Sequence, residues 1–397
     1  MKRQKIVYGA PGTGKSFGTD GELVDASGNE KAVSFRTTFH PDSDYSTFVG
    51  AYKPTMNGSA IEYSFRPQAF MSAYVKAWRE LSGSEDDPKK PVVLVIEEIN
   101  RGNCAQVFGD LFQLLDRDDA TGYSMYPITT DKDLAAWLKG AEQFGTSGLS
   151  GITKPDRVKQ GDWDDILKGD KLALPPNLYI WATMNTSDQS LFPIDSAFKR
   201  RWDWQYVPIA KPDKDGDKSW RDRAILADGK YYDWWKFISI VNKHIAKTTQ
   251  SEDKQLGYFF VKAPDDTGVI TADRFVNKVL FFLFNDAFKD WKLPEGVFGK
   301  DNNEKYAFKD FFYCEKEGVH KVGDIREDVL AEFLEHLQWE GEKLTASTDA
   351  PKKNDEMANP ADATHANEST SAEEQPVETV QSQVESAEAE SSAESAE

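Results

Sequence analysis

The chain has 397 residues, a formal net charge of -19 and two cysteines. Its length allows two domains or one large domain with appendages. Two cysteines without metal-type spacing indicate a reducing, cytoplasmic location rather than a disulfide framework, and no apolar run is long enough to span a bilayer.

A glycine-rich run follows a short apolar segment at residues 6–8 and fits the pattern G-x-x-x-x-G-K-[ST]. Glycines let the backbone curl so that successive N–H groups point at one phosphate, and the start of the following helix adds its positive end. We expect the Lys15 amine to reach the β- and γ-phosphates and the Ser16 hydroxyl to hold Mg²⁺. The predicted nucleotide-binding residues are Gly9, Ala10, Pro11, Gly12, Thr13, Gly14, Lys15 and Ser16.

An alternating run at residues 32–40 predicts a strand, and the spacing of apolar residues over 66–81 predicts a helix. The continuous apolar run at 92–96 predicts a buried parallel strand. Glu97 and Glu98 follow directly, at the end of the strand where doubly wound sheets bind ligands. We therefore expect Glu97 to hold the Mg²⁺ shell and Glu98 to orient or deprotonate the attacking water.

Residues 116–172 are weakly patterned and form a predicted insertion with a short helix at 134–144. A second apolar strand, at 177–184, ends in Asn185, whose amide is placed to bind the γ-phosphate or the attacking water. Asp188 either shapes the following turn or contacts a neighbouring subunit. The spacing Asn-x-x-Asp also resembles guanine-reading motifs, although the turn interpretation is favoured.

A helix that ends in Arg200 and Arg201 has two interpretations. Basic residues stabilise the negative C-terminal end of a helix, and an arginine at this point can also reach the nucleotide of an adjacent subunit. Because a phosphate loop and two catalytic-type acids precede it, we favour an arginine finger at Arg201, with Arg200 as the alternative.

Together, several runs resemble the AAA+ module of the McrB-type, dynein-related family. The runs that carry the resemblance are the phosphate loop at 9–16, Thr38-Phe39-His40-Pro41, Glu97-Glu98-Ile99-Asn100-Arg101-Gly102-Asn103, Met184-Asn185-Thr186-Ser187-Asp188 and the segment from Asp195 to Arg201. They cover about residues 4–210, and the segment 255–260 resembles the family's sensor-2 region.

The resemblance implies an α/β fold, a P-loop AAA+ module with a doubly wound parallel sheet at 1–210, followed by a mainly helical lid domain at 211–340. It also implies homo-oligomeric rings, usually hexamers, with nucleotide sites between subunits. The phosphate loop, Glu97, Glu98, Asn185 and Arg201 would keep their family roles. One residue departs from the family pattern, because position 97 is usually aspartate.

The segments after residue 210 differ in composition. Apolar stripes at helical spacing over 211–340 predict helices packed in a core. Residues 341–397 hold 14 Asp and Glu against 3 Lys and Arg and contain no aromatic residue, which predicts a disordered acidic tail.

The resemblance leaves two classes of function open. The first is a ring motor that hydrolyses ATP with Mg²⁺, GTP being the alternative nucleotide, in a McrBC-like restriction system with a McrC-type nuclease. No DNA-reading segment precedes the phosphate loop and the body is mildly acidic, so we expect DNA contact through a partner and none with membranes. The second class is a MoxR-like protein-remodelling chaperone, and an inactive scaffold is disfavoured by the intact Lys15, Glu98, Asn185 and Arg201.

Overall fold

The computed structural model describes residues 1–24, 29–57, 60–81, 90–139, 149, 160–186, 192–212, 222–264, 267–300, 304–316 and 318–351. Met1–Asp355 forms one compact unit. The domain boundaries at 210 and 340 stay predictions. Most of the predicted acidic tail lies outside the described residues.

Strands and helices alternate through the first half of the chain. These elements are β1 (Gln4–Gly9), α1 (Lys15–Leu23), β2 (Val33–Thr38), α2 (Tyr45–Phe48), β3 (Gly50–Asn57), β4 (Ala60–Pro67), α3 (Ala69–Leu81), β5 (Val92–Glu97), α4 (Cys104–Phe108), β6 (Ile128–Thr129), α5 (Lys132–Leu138), α6 (Gln160–Leu167), β7 (Lys171–Leu172), β8 (Leu178–Asn185), α7 (Ser196–Lys199) and β9 (Asp203–Tyr206). Short 3₁₀ turns at Ile99–Arg101 and Gly109–Leu115 flank α4.

Helices dominate the second half, with short strands between them. These elements are β10 (Ala224–Ala227), β11 (Lys230–Asp233), α8 (Trp234–Thr249), β12 (Val269–Ile270), α9 (Ala272–Arg274), α10 (Glu295–Phe298), α11 (Glu327–His336), β13 (Gln338–Trp339), β14 (Glu342–Lys343) and β15 (Ala346–Ser347). The helix begun by α9 continues through wider π-type turns at Phe275–Leu280 and Leu283–Ala287.

The central sheet contains five parallel strands in the order β2-β5-β8-β1-β9. Gly9 at the end of β1 pairs with Asn185 at the end of β8, and Thr38 pairs with Glu97 at the end of β5. The phosphate loop, both acids and the strand-end asparagine therefore share the carboxyl edge of one sheet. The predicted α/β class with a doubly wound parallel sheet is confirmed.

Alternate side chains of the central strands pack on opposite faces of the sheet, as the two-residue period of a strand requires. Leu94 of β5 lies in the larger core, which α3 covers with side chains such as Trp78. Val95 lies on the other face with Leu23 of α1 and Trp181 of β8. Burial of each such large apolar side chain stabilises the fold by about 1.5–3 kcal/mol.

The insertion predicted at 116–172 is packed against the main core. Its strands β6 and β7 pair with each other, and Trp163 of α6 contacts Trp78 with ring centroids 5.4 Å apart. Leu134 and Ile166 are buried in the same cluster as the central strands. The predicted helix at 134–144 is confirmed as far as Leu138, and its remainder lies outside the described residues.

A β-hairpin between β2 and α3 was not predicted from the sequence. Its strands β3 and β4 pair antiparallel, so that Tyr52 lies opposite Phe65 and Met56 opposite Ile61 on one face. At the base of this face Phe65 packs against Trp137 of α5. Toward its tip, by contrast, Met56 and Ile61 are exposed.

The second half has its own hydrophobic core, built around α8, the π-type helix and α11. A four-stranded sheet in the order β12-β10-β11-β15 accompanies these helices. Strand β15 pairs with β11, and β14 pairs with β13, so the paired strands extend beyond residue 341, where the predicted tail begins. Within the described ranges, no helix is long and apolar enough to cross a membrane.

Candidate nucleotide-binding and catalytic site

The predicted phosphate loop joins the end of β1 to the start of α1. Gly12 and Gly14 have φ angles of 78° and 88°, a left-handed conformation that residues with side chains rarely adopt. Helix α1 begins directly afterwards at Lys15. This places the positive end of a nine-residue helix at the loop, as an anion-binding site requires.

Lys15 points back into the loop. Its Nζ atom donates hydrogen bonds to the carbonyls of Gly9 at 3.1 Å and Ala10 at 2.9 Å. Burial lowers the pKa of Lys15 to about 8, and the charges of Glu98 and Glu97 act in the opposite direction. Burial thus disfavours the charged form of Lys15, and an anion that enters the loop would stabilise that form.

Ser16 and Glu97 contact each other directly. The Ser16 hydroxyl donates a hydrogen bond to Oε2 of Glu97 at 3.0 Å, and the Thr183 hydroxyl of β8 donates to the same oxygen. The longer glutamate at position 97 therefore still reaches the serine of the phosphate loop. These neutral and charged oxygens are the donor type that Mg²⁺ prefers.

Glu98 and Asn185 form a second pair at the same edge. The Asn185 side-chain amide donates to Oε1 of Glu98 at 2.5 Å. The buried Asn100 in turn donates to the backbone carbonyl of Asn185 at 2.8 Å, which fixes the end of β8. Glu98 has a φ angle of 55°, an uncommon conformation for a residue with a side chain and one that clusters at functional sites.

The segment resembling sensor 2 covers the phosphate loop from the second half of the chain. The backbone N–H groups of Gly257 and Phe259 donate to the carbonyls of Pro11 at 2.9 Å and Gly12 at 2.7 Å. A Cβ atom added at Gly257 would lie 2.3 Å from the carbonyl carbon of Gly12. Only glycine permits so close an approach.

Arg223 supports this covering segment. It is almost completely buried, and its guanidinium donates to the carbonyls of Tyr258 at 3.2 Å and Val261 at 2.7 Å. The same group lies 5.0 Å from the centre of the Phe259 ring. Both bonds come from the Nη1 atom, which therefore holds the backbone on either side of Phe259.

The two arginines after α7 have different surroundings. Arg201, whose side chain is 8% exposed, pairs with Asp116 at 2.5 Å, donates to the carbonyl of Ala197 at 2.8 Å and covers the Phe112 ring. The charge of Arg201 is thus neutralised inside its own chain, and its role as an arginine finger stays a prediction. Arg200, the alternative, is exposed.

Both arginines lie at the amino end of β1, away from the phosphate loop. The side chain of Gln4 donates to the backbone carbonyl of Arg201 at 2.7 Å. The surrounding surface cleft has a volume of about 590 Å³, and its charged lining residues are Lys2, Arg3, Asp116, Arg117, Asp119, Arg200, Arg201 and Asp203.

Several polar residues of the site were not identified from the sequence. Thr183 and Asn100 position Glu97 and Asn185, and Arg36 of β2 forms an ion pair with Glu97. The quoted motif Glu-Ile-Asn-Arg-Gly-Asn contains Asn100, so its position beside Glu98 was a usable signal. Asp188 lies outside the described residues.

Comparison with known proteins agrees with these features. Residues 5–202 match the AAA domain family, dynein-related subfamily. The chain is 36% identical over 312 residues to the type II restriction enzyme BsuMI component YdiS of Bacillus subtilis, covering 73% of this chain and 80% of that protein. It is 26% identical over 208 residues to the type IV methyl-directed restriction enzyme EcoKMcrB subunit of Escherichia coli, covering 51% of this chain and 34% of that protein.

Proposed function

The chain belongs to the McrB-type, dynein-related family of AAA+ proteins, and from this premise we propose that it binds and hydrolyses ATP with Mg²⁺ as the ring motor of a McrBC-like restriction system. One observation carries the proposal. Lys15, the Ser16–Glu97 pair and the Glu98–Asn185 pair converge on one edge of the sheet. This combination supplies phosphate binding, a metal site and a base.

The phosphate loop and Lys15 would bind the nucleotide. Lys15 now donates hydrogen bonds to the backbone carbonyls of Gly9 and Ala10. With nucleotide bound, phosphate oxygens would accept these hydrogen bonds instead. The residues that would hold Mg²⁺ are Ser16 and Glu97, and their oxygen donors fit this ion. When bound, the ion would neutralise charge on the β- and γ-phosphate oxygens.

Glu98 is the proposed base for the attacking water. Its carboxylate accepts a hydrogen bond from the Asn185 amide, and we propose that the same amide also donates to a γ-phosphate oxygen. Abstraction of a proton by a positioned side chain contributes about 10²–10⁴ in rate. Asn100 acts behind the pair by fixing the backbone of Asn185.

We propose Arg200, not Arg201, as the arginine finger of the ring. Arg200 is exposed, whereas the ion pair of Arg201 with Asp116 anchors the backbone that presents it. A homo-oligomeric ring, hexameric by family resemblance, would bring Arg200 to the nucleotide of the adjacent subunit.

The restriction role rests on the relatives. Because both are components of restriction enzymes, we propose a McrC-type nuclease as the partner and DNA contact through that partner. ATP is the proposed nucleotide and GTP the alternative. Stimulation of hydrolysis by DNA or by the partner would favour the motor over a MoxR-like remodelling chaperone.

Steady-state hydrolysis of ATP and of GTP, each with and without double-stranded DNA, tests the proposal. We expect Lys15→Ala to abolish nucleotide binding, since the loop loses its only side-chain cation. Glu98→Gln should keep binding and reduce turnover by about 10²–10⁴-fold. The matched control is Lys230→Ala, which removes a half-exposed lysine from an ion pair with Glu335 elsewhere in the chain. Unchanged turnover in Glu98→Gln would refute the assignment of the base.

A further inference from the structure

Arg36 lies beside the metal-side acid, although no sequence pattern pointed to it. It is a half-exposed residue of β2, and its guanidinium forms ion pairs with Glu97 at the end of β5 and with Asp20 of α1. In the parallel register Arg36 is paired with Val95, so that its side chain shares a sheet face with Glu97. One planar group thus connects a helix, an edge strand and the site.

The two oxygens of Glu97 have different partners. Oε1 accepts from Arg36, while Oε2 accepts from the hydroxyls of Ser16 and Thr183. Three secondary-structure elements therefore orient one carboxylate. Oε2, the oxygen that accepts from Ser16, is the one that would face Mg²⁺ under the proposed function.

A glutamate at this position needs such support more than an aspartate does. It has one more rotatable bond, so that fixing its carboxylate in one orientation costs more conformational entropy. Arg36 binds Oε1 of Glu97 through Nη1 and Asp20 through Nη2, so its rigid guanidinium is itself held while it orients the carboxylate. Partners of this kind behind a metal ligand change metal affinity by about 10–100-fold when they are removed.

We propose that Arg36 is the positioning residue that adapts a glutamate to the metal side of this nucleotide site, and that Asp20 holds Arg36 in place. The inference rests on the proposed function, because it concerns how Glu97 meets Mg²⁺. Arg36 itself touches neither nucleotide nor metal in this scheme. Its effect is on the orientation of Glu97.

The test is a Mg²⁺ titration of the affinity for a fluorescent ATP analogue, measured by binding alone. Arg36→Ala should raise the Mg²⁺ concentration at half-maximal effect by about tenfold, the lower end of the range for lost metal-ligand partners. Affinity in EDTA should stay within about twofold of the unchanged protein, because the phosphate loop is not altered. Lys230→Ala, which removes a cation of similar exposure, should change neither quantity.

A double-mutant cycle separates positioning from simple charge. In the Glu97→Asp background, Arg36→Ala should shift the Mg²⁺ midpoint by less than about twofold, since the shorter aspartate does not need Arg36 to orient its carboxylate. An equal shift in both backgrounds, or a lower midpoint in Arg36→Ala, would overturn the proposal. Asp20→Asn should produce a smaller shift in the same direction, and a melting curve for each variant shows whether it is folded.

The outcomes also distinguish the inference from its premise. If the unchanged protein binds no nucleotide, the proposed function fails and this inference fails with it. If it binds nucleotide with Mg²⁺ and Arg36→Ala has an unaltered midpoint, only the role of Arg36 is refuted.

Discussion

The two ends of strand β1 carry opposite kinds of chemistry. At the carboxyl end, Lys15 and the Ser16–Glu97 pair have their partners in the same chain. At the amino end, Gln4 holds the backbone of an arginine pair of which one member, Arg200, is exposed. The six residues of β1 separate these ends by about 17 Å.

One chain supplies the partners at the carboxyl end of β1, whereas the amino end leaves Arg200 exposed. The carboxyl end brings together the phosphate loop, the Ser16–Glu97 pair and the Glu98–Asn185 pair from β1, α1, β5 and β8. The amino end presents a positive charge too far from that loop to act on it. A complete site under the proposed function therefore needs the carboxyl end of one chain and the amino end of another.

The largest effect is expected from Arg200→Ala. Loss of an arginine finger lowers turnover by about 10³–10⁵-fold while leaving nucleotide binding nearly unchanged, because the charge acts mainly in the transition state. Single-turnover hydrolysis and nucleotide binding, measured side by side, check this. Turnover within about tenfold of the unchanged protein would remove Arg200 from the proposed machinery.

A mixing experiment tests whether the two ends belong to different chains. Glu98→Gln and Arg200→Ala proteins should each be nearly inactive alone. Mixed, they should recover part of the activity, because some interfaces combine an intact Glu98 with an intact Arg200. No recovery in mixed rings of confirmed composition would place both residues in one chain's site.

Arg201→Ala should act on stability. Removal of one partner of a buried ion pair costs about 3–5 kcal/mol, and we expect the lower part of this range because Asp116 is 27% exposed. Urea unfolding of Arg201→Ala and of the neighbouring Arg200→Ala provides a matched comparison. A surface substitution such as Arg200→Ala should stay within about 0.5 kcal/mol. Equal losses in both variants would contradict the different surroundings described for the two arginines.

Gly257→Ala should have the smallest effect, and should act on the carboxyl end only. The added Cβ atom would meet the backbone of Gly12 and Thr13 at 2.3 to 2.5 Å, so that the covering segment must shift. Overpacking of this kind costs about 1–3 kcal/mol. We expect weaker nucleotide binding, measured by titration. Gly21→Ala in α1, where an added Cβ meets nothing within 4 Å, is the control. Equal affinity in both variants would show that the cover does not influence the loop.

Sequence reasoning succeeded where a short pattern has one structural solution. The phosphate loop, the buried strand before Glu97 and the strand before Asn185 all lie in the predicted elements. Their relative positions followed from the rule that parallel strands align their carboxyl ends at one edge. The Ser16–Glu97 and Glu98–Asn185 pairs form between residues that lie at or next to these predicted strand ends.

Other features depend on contacts between distant segments and were not predictable. The inward direction of Arg201 is set by Asp116, 85 residues earlier. The contact between Gly257 and the phosphate loop joins the two halves of the chain. The hairpin is different, because alternating apolar residues on both sides of Asn57-Gly58 are a recognisable local signal.

The cover over the phosphate loop also decides which fragments of this protein are useful. A fragment that ends near residue 210 would lose the amide donors of Gly257 and Phe259, and the carbonyls of Pro11 and Gly12 would turn to solvent. Strand β15 likewise completes the second half only if the fragment extends past Ser347. If a truncated protein does not bind nucleotide, the reason can therefore be the loss of the segment that covers the phosphate loop. The shortest informative fragment runs from the first residue to beyond β15.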